Sequence, residues 1–206
     1  MYALVEDNNI TKIINYPKAL TIGDTQYPAK IFQLWSQSEK EAIGIYEIVV
    51  DKTNYKDEEY YTNTDSSYSF ADDRVTQSWG TATAKQLNDT FWTQSEIDNL
   101  PDAGSLQDGD LKEEGLKTKK IKIVKQQASD LLAKHDWQVV KATEVSEYSV
   151  PSNVTTYRAN VRAKSNEMET QINACSNVDQ LKALYEYTEQ DDGTYTRPLA
   201  EFPEEI

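Results

Sequence analysis

The sequence predicts an α+β protein, with one or more small antiparallel β domains followed by a C-terminal helical hairpin or three-helix region. The first part of the chain holds short runs of β-branched and aromatic residues separated by turn residues, as β-strands do. The last part holds apolar residues at helical spacing. We therefore expect a β-rich domain over residues 1–84, a linker with a short helix over 85–111 and a helical domain over 112–206.

The chain is predicted to begin with a β-hairpin. Residues 2–6 and 10–14 read as two strands on either side of Asp7-Asn8-Asn9. Asn tolerates left-handed backbone conformations, so this triplet suits a tight turn. Residues 45–50, which read IYEIVV, form the clearest strand pattern in the chain because they are β-branched and aromatic almost throughout.

A short helix and a second β portion complete the predicted N-terminal domain. Ser36 and Glu39 occupy capping-box positions for a helix that Gly44 is expected to end. Residues 52–84 contain short alternating segments and turn residues, so we expect a small antiparallel sheet or meander there.

The middle of the chain changes character. Residues 86–98 fit a helix, whereas residues 100–109, LPDAGSLQDG, are rich in Pro, Gly, Ser and Asp. Such a composition is typical of a linker or domain boundary.

The C-terminal region is predicted to contain two amphipathic helices, over about 111–133 and after Pro151, joined by an irregular loop that begins at Asp136-Trp137. Val139-Val140 are expected to be extended within that loop. A third helix is predicted over 178–188, capped by Asn177, and the acidic end is expected to be loose. The apolar faces of the two long helices are Ile121, Val124, Ala128, Leu131 and Leu132, and Val154, Tyr157, Val161, Met168 and Ile172.

The composition argues against several classes of function. The net charge of -14 disfavours nucleic acids and anionic membrane surfaces, both of which attract basic proteins. The first residues lack the basic and apolar regions of a signal peptide, and no apolar run is long enough to cross a membrane. We therefore expect neither a nucleic-acid nor a membrane partner.

The sequence offers little for catalysis. His135 is the only histidine and Cys175 the only cysteine, so a triad or a metal site has few possible members. We interpret His135 as a helix-end or surface residue and Cys175 as a small buried one. The carboxylates around Asp108-Gly109-Asp110 lack the spacing of an EF-hand loop and fit a solvated linker. We expect no catalytic residue, no cofactor and no metal.

Five residues are candidates for contacts with another protein. Arg158 and Arg162 stand four apart on a helix, where they form either ordinary flanking salt bridges or a contact to a partner's carboxylate or carbonyl groups. Trp137 fits either a core anchor or an interface hot spot. Tyr157 and Trp35 complete the set of interface candidates.

The motifs of the helical region resemble the C-terminal region of phage tail fibre assembly proteins, also called tail assembly chaperones. The residues that carry this resemblance are Leu131-Leu132, Asp136-Trp137, Pro151, Tyr157-Arg158 and Arg162. That family often shows an Arg-rich helix ending in a Leu pair, then Thr-Asp-Trp, then a Tyr-Arg-x-x-Leu-Arg helix. Here the early Arg positions are Lys, the Thr is His135, and the second Arg is displaced to Arg162. Residues 27–46 are also similar to N-terminal segments of phage tail proteins, and the whole chain resembles marine phage tail-fibre-associated proteins.

The resemblance implies a non-enzymatic protein that acts through protein–protein contacts. Its partner would be a tail fibre or another tail protein, and oligomerisation within the tail stays open. The chain would act as a transient chaperone in the host cytoplasm or remain in the virion tail as a structural component.

Two other functions stay open at this point. A receptor- or carbohydrate-binding adhesin module would stack sugars on exposed aromatic rings, for which the candidates are Tyr60, Tyr61, Tyr68 and Trp79. An unrecognised hydrolase would need His135 in a catalytic arrangement.

Overall fold

The computed structural model describes all 206 residues, and the chain divides into two compact units, Met1–Thr83 and Ala84–Ile206. The first unit contains β1 (Tyr2–Glu6), β2 (Asn9–Ile14), β3 (Leu20–Ile22), β4 (Thr25–Tyr27), α1 (Ile31–Leu34), α2 (Gln37–Glu41), β5 (Ile45–Val50), β6 (Tyr61–Thr62), β7 (Ser67–Ala71) and β8 (Arg74–Ser78). Strand β9 (Thr83–Ala84) lies at the boundary. The second unit contains β10 (Thr90–Phe91), α3 (Gln94–Asp98), β11 (Leu111–Glu113), α4 (Leu116–Ala133), α5 (Asp136–Glu144), α6 (Ser152–Ala174), α7 (Val178–Ala183), β12 (Thr188–Glu189) and β13 (Tyr195–Thr196).

The first unit is built around a five-stranded sheet in the order β2-β1-β5-β8-β7. The predicted N-terminal hairpin is confirmed: β1 and β2 pair antiparallel, and Asp7 and Asn8 adopt positive φ angles of 49° and 61° in the turn. Strands β5 and β8 pair in parallel, so the sheet is mixed rather than purely antiparallel. The outer strands β2 and β7 also contact each other, which means that the sheet is curled.

Both faces of this sheet are covered by apolar side chains. Successive residues of a strand point to opposite faces, so Ala3 and Val5 lie in one buried cluster and Leu4 lies in another. The other buried members of the first cluster are Ile48 and Val75. Those of the second are Ile14, Leu20, Ile31, Phe32 and Ile45.

The predicted capping box is confirmed. The Ser36 hydroxyl accepts a hydrogen bond from the Glu39 backbone N–H, and the Glu39 carboxylate accepts one from the Ser36 backbone N–H. Gly44 follows the helix with φ at +81°, a conformation that L side chains rarely adopt. Its carbonyl accepts a hydrogen bond from the Val5 N–H at 2.8 Å, which ties the helix end to β1.

The second unit is built on the packing of α4 against α6. All five residues predicted for the inner face of α6 are buried. In α4, Val124 and Ala128 are buried as predicted, and Leu131 and Leu132 pack against the edge of the same cluster. The α+β class and the order of a β-rich part before a helical part are therefore confirmed.

The passage between the two long helices differs from the prediction. Residues 136–144 form helix α5 rather than an irregular loop, so the Val139-Val140 pair is helical and not extended. Asp136 lies in the first turn, where its negative charge interacts favourably with the helix dipole and stabilises the helix. The β-branched Val139-Val140 pair lowers helix propensity only slightly, so it does not prevent the helix from forming.

Three further segments differ from their predictions. Residues 86–98 form a helix only at Gln94–Asp98, because Thr90 and Phe91 pair with Glu113 and Leu111 as a short β-ladder. Residues 85–111, predicted as a linker with a short helix, lie within the second unit. The acidic end is not loose: Phe202 packs against the cluster formed by Ala128, Tyr157 and Val161. Among the helices, none combines the length and the apolar character that a membrane span requires.

Candidate interaction surface of the second unit

Helix α5 presents apolar side chains to solvent. None of its nine residues is buried. Trp137 has 57% of its surface exposed, and Val140, which lies three positions further along the same face, is half exposed. Val139 and Val145 add further exposed apolar area. A cluster of exposed large apolar side chains is typical of a protein interaction site.

Trp137 therefore does not act as the core anchor that one interpretation of the sequence favoured. Its exposure leaves it available as a contact residue, and tryptophan is enriched among interface hot spots. We define the α5 face as Trp137 and Val140, since Val139 lies on another side of the helix and Val145 lies beyond its last residue.

Arg158 lies under the N-terminal end of α5 and is only 9% exposed. Its Nη1 donates a hydrogen bond to the Leu132 carbonyl at 2.6 Å, and its Nη2 lies 2.7 Å from the Asp136 carboxylate. The Leu132 carbonyl belongs to the last turn of α4 and also accepts a hydrogen bond from the His135 backbone N–H at 3.1 Å. Arg158 thus joins the end of α4 to the start of α5, and its role is internal to the unit.

Tyr157 is also an internal residue, since only 3% of its surface is exposed. Its ring packs with Ala128 and Val161 and meets the His135 ring edge-on at a centroid distance of 5.4 Å. The ring is therefore not accessible to a partner in this conformation.

Arg162 lies one turn beyond Arg158 and lines a cleft of about 420 Å³. The other lining residues come from three helices and are Lys125, Ala128, Ser129, Leu132, Asp136, Arg158 and Ser165. Lys125 is paired with Glu169 at 3.2 Å. We call this concavity the Arg162 cleft.

Trp35, the fifth candidate, belongs to the first unit. It is half-buried against the cluster that contains Leu4 and Phe32, and it meets the Tyr27 ring edge-on at a centroid distance of 5.8 Å. Part of its ring is used for packing within that unit.

The only histidine and the only cysteine are not arranged as a nucleophile and its base. The His135 Nδ1 lies 3.3 Å from the Gln138 side-chain oxygen, and no partner meets the Nε2. Burial raises the pKa of the Cys175 thiol, which donates a hydrogen bond to the Gln171 carbonyl. No group of three or more His, Cys, Asp or Glu side chains is placed to hold a metal ion.

The four aromatic residues considered for sugar stacking do not form an exposed platform. Tyr60 and Tyr61 are buried. Tyr68 packs against the cluster that contains Ala3 and Val5, and Trp79 meets the Tyr55 ring edge-on at 4.9 Å. No four-ring surface is therefore open to a sugar in the first unit.

Sequence reasoning missed Val140 as a surface residue and Lys125 and Ser129 as cleft residues. A signal for the cleft exists, because Lys125 and Ser129 stand four apart on α4, as do Arg158 and Arg162 on α6. Recognising the α5 face requires knowing that residues 136–144 are helical.

The chain matches no protein-family model, no curated protein and no solved structure. The resemblance to tail fibre assembly proteins therefore stays a prediction that rests on the motif residues.

Proposed function

We propose that this protein is a non-enzymatic phage tail or tail-fibre-associated protein and that it binds its partner through the α5 face. The observation that carries the proposal is the exposure of Trp137 and Val140 on a helix in which no residue is buried. A partner that covers these side chains would remove apolar area from water, and such burial drives most protein association.

The position of α5 supports the proposal. Trp137 belongs to the Asp-Trp motif that suggests the tail-assembly resemblance, and Arg158 of the Tyr-Arg motif holds Asp136 at the start of the same helix. This contact orients the start of α5 before a partner arrives. A preorganised surface loses less conformational entropy on binding than a mobile one.

Charge supports a specific partner rather than self-aggregation. The net charge of -14 makes copies of the chain repel one another, although each copy exposes an apolar face. The partner is a tail fibre or another tail protein whose surface complements Trp137.

Co-expression with the product of the neighbouring fibre gene tests the proposal. We expect a stable complex or an increased yield of soluble fibre, and we expect Trp137→Ala to abolish either effect without reducing helicity. Tyr195→Ala is the matched control, because Tyr195 is also an exposed aromatic residue of the second unit, with 62% of its surface exposed. If Trp137→Ala and Tyr195→Ala bind the fibre equally well, the α5 face is not the contact surface.

Mass spectrometry of purified particles separates the two versions of the function. A transient assembly chaperone is absent from mature particles, whereas a structural tail component is present in fixed stoichiometry with the fibre.

A further inference from the structure

The Arg162 cleft is lined by charged and hydroxyl side chains that do not belong to the α5 face. Helical spacing explains why they share one concavity: Lys125, Ser129 and Leu132 lie along one face of α4, and Arg158, Arg162 and Ser165 lie along one face of α6. Asp136 lines it from α5.

The charges in the cleft are not all neutralised. Arg158 is paired with Asp136, and Lys125 is paired with Glu169. Arg162 has no carboxylate partner, and its one hydrogen bond runs from Nη1 to the Arg158 carbonyl at 3.3 Å. A guanidinium group has five N–H donors, so most of those of Arg162 remain available to a ligand.

The surroundings of Arg162 favour an anionic ligand. Ser129 places a hydroxyl group in the same cleft, and a hydroxyl can donate to an anionic oxygen. The Ser165 hydroxyl already donates to the Glu169 carboxylate at 3.4 Å. The Glu169 and Asp136 carboxylates near the cleft are paired with Lys125 and Arg158. The cleft therefore keeps one unpaired positive charge, on Arg162, in a chain whose net charge is -14.

We propose that the Arg162 cleft is a carboxylate-binding site that takes an acidic peptide, with Arg162 as the residue that contacts the carboxylate. The planar guanidinium can donate two parallel hydrogen bonds to the two oxygens of a carboxylate. The carboxylate belongs to an Asp or Glu side chain or to a chain terminus. This site does not depend on the function proposed above, because any acidic peptide could supply the ligand.

The test is an NMR titration of the isotope-labelled full-length protein at physiological salt. Three probes are added separately: N-acetyl-glutamate amide, which has only a side-chain carboxylate; N-acetylglycine, which has only a terminal carboxylate; and inorganic phosphate. We expect saturable shifts of backbone amides in residues 125–129 and 158–165 with at least one carboxylate probe, and the stronger of the two carboxylate probes identifies which type the cleft prefers.

Matched variants show whether the binding is local. Arg162→Gln should weaken the binding of the preferred carboxylate by about tenfold, because a charge-assisted hydrogen bond is lost. Lys164→Gln removes the same charge from a half-exposed residue of α6 that is paired with Glu167, and it should leave the binding within about twofold. Arg162→Lys keeps the charge without the fork geometry, so its binding should be intermediate.

Several outcomes would overturn the proposal. One is the absence of saturable shifts with both carboxylate probes. Another is binding of phosphate alone, which would make the cleft a phosphate site. A third is an equal loss of binding in Arg162→Gln and Lys164→Gln, which would show a general charge effect rather than a site.

Discussion

Replacing Arg158 with alanine should destabilise the second unit, because the Arg158 side chain joins two helices from a buried position. Its guanidinium donates to the Leu132 carbonyl at 2.6 Å and pairs with Asp136 at 2.7 Å. A hydrogen bond to a charged group contributes about 1.5–3 kcal/mol. Asp136 is 58% exposed, so solvent screening limits the ion pair to about 0–1 kcal/mol. We therefore expect Arg158→Ala to lower the free energy of unfolding by about 1.5–4 kcal/mol.

The assay is urea denaturation followed by circular dichroism at 222 nm, which mainly reports the long helices of the second unit. Arg162→Ala is the control, because it removes the same side chain one turn away, where the side chain makes one hydrogen bond, to the Arg158 carbonyl at 3.3 Å. That control should change the free energy of unfolding by less than about 0.5 kcal/mol. Equal stability of the Arg158→Ala and Arg162→Ala variants would refute the internal role of Arg158 and restore it as an interface candidate.

Two further predictions concern the first unit. Gly44→Ala should destabilise that unit strongly, because φ is +81° and the added Cβ would lie 2.5 Å from the Val5 carbonyl oxygen. Thermal denaturation should show a clearly lower Tm for this variant. An unchanged Tm would contradict the close approach of Gly44 to Val5. Ser36→Ala should lower stability by about 1 kcal/mol through loss of the cap. The hydrogen bonds from the Ser36 side chain and backbone lower the pKa of Glu39 in the folded protein. The stability that these bonds contribute is therefore fully present above the pKa of Glu39 in the unfolded chain, and it is lost as the pH falls through the pKa in the folded protein. An NMR titration should show the Glu39 pKa rising toward its ordinary value in Ser36→Ala, and an unchanged pKa would argue against the capping box.

The elements that could be predicted are those whose local pattern and tertiary environment agree. The N-terminal hairpin has both alternating strands and a turn sequence that accepts positive φ. The buried side of α6 follows directly from apolar residues at helical spacing, and all five predicted residues are buried.

The elements that could not be predicted depend on distant partners. The first residue of helix α5, Asp136, pairs with Arg158, which lies 22 positions further along the chain. The acidic C-terminus lacks a local structural pattern, yet Phe202 packs against Tyr157 and Val161. The parallel pairing of β5 with β8 is likewise a long-range contact that strand propensity cannot indicate.

The candidate site shows the same division. Sequence motifs identified Trp137, Arg158 and Arg162, but they could not assign each residue its role. Arg158 is buried and acts within the unit, whereas Trp137 is exposed at its surface. Arg162 differs from Arg158 because it lacks a carboxylate partner.

Site-specific photo-crosslinking tests most directly whether the α5 face is the contact surface. A photoreactive phenylalanine analogue would replace Trp137 in one sample and Tyr195 in another, each co-expressed with the fibre protein. We expect a covalent product with the fibre from position 137 and none from position 195. A complex that forms but crosslinks equally from both positions, or only from position 195, would contradict it.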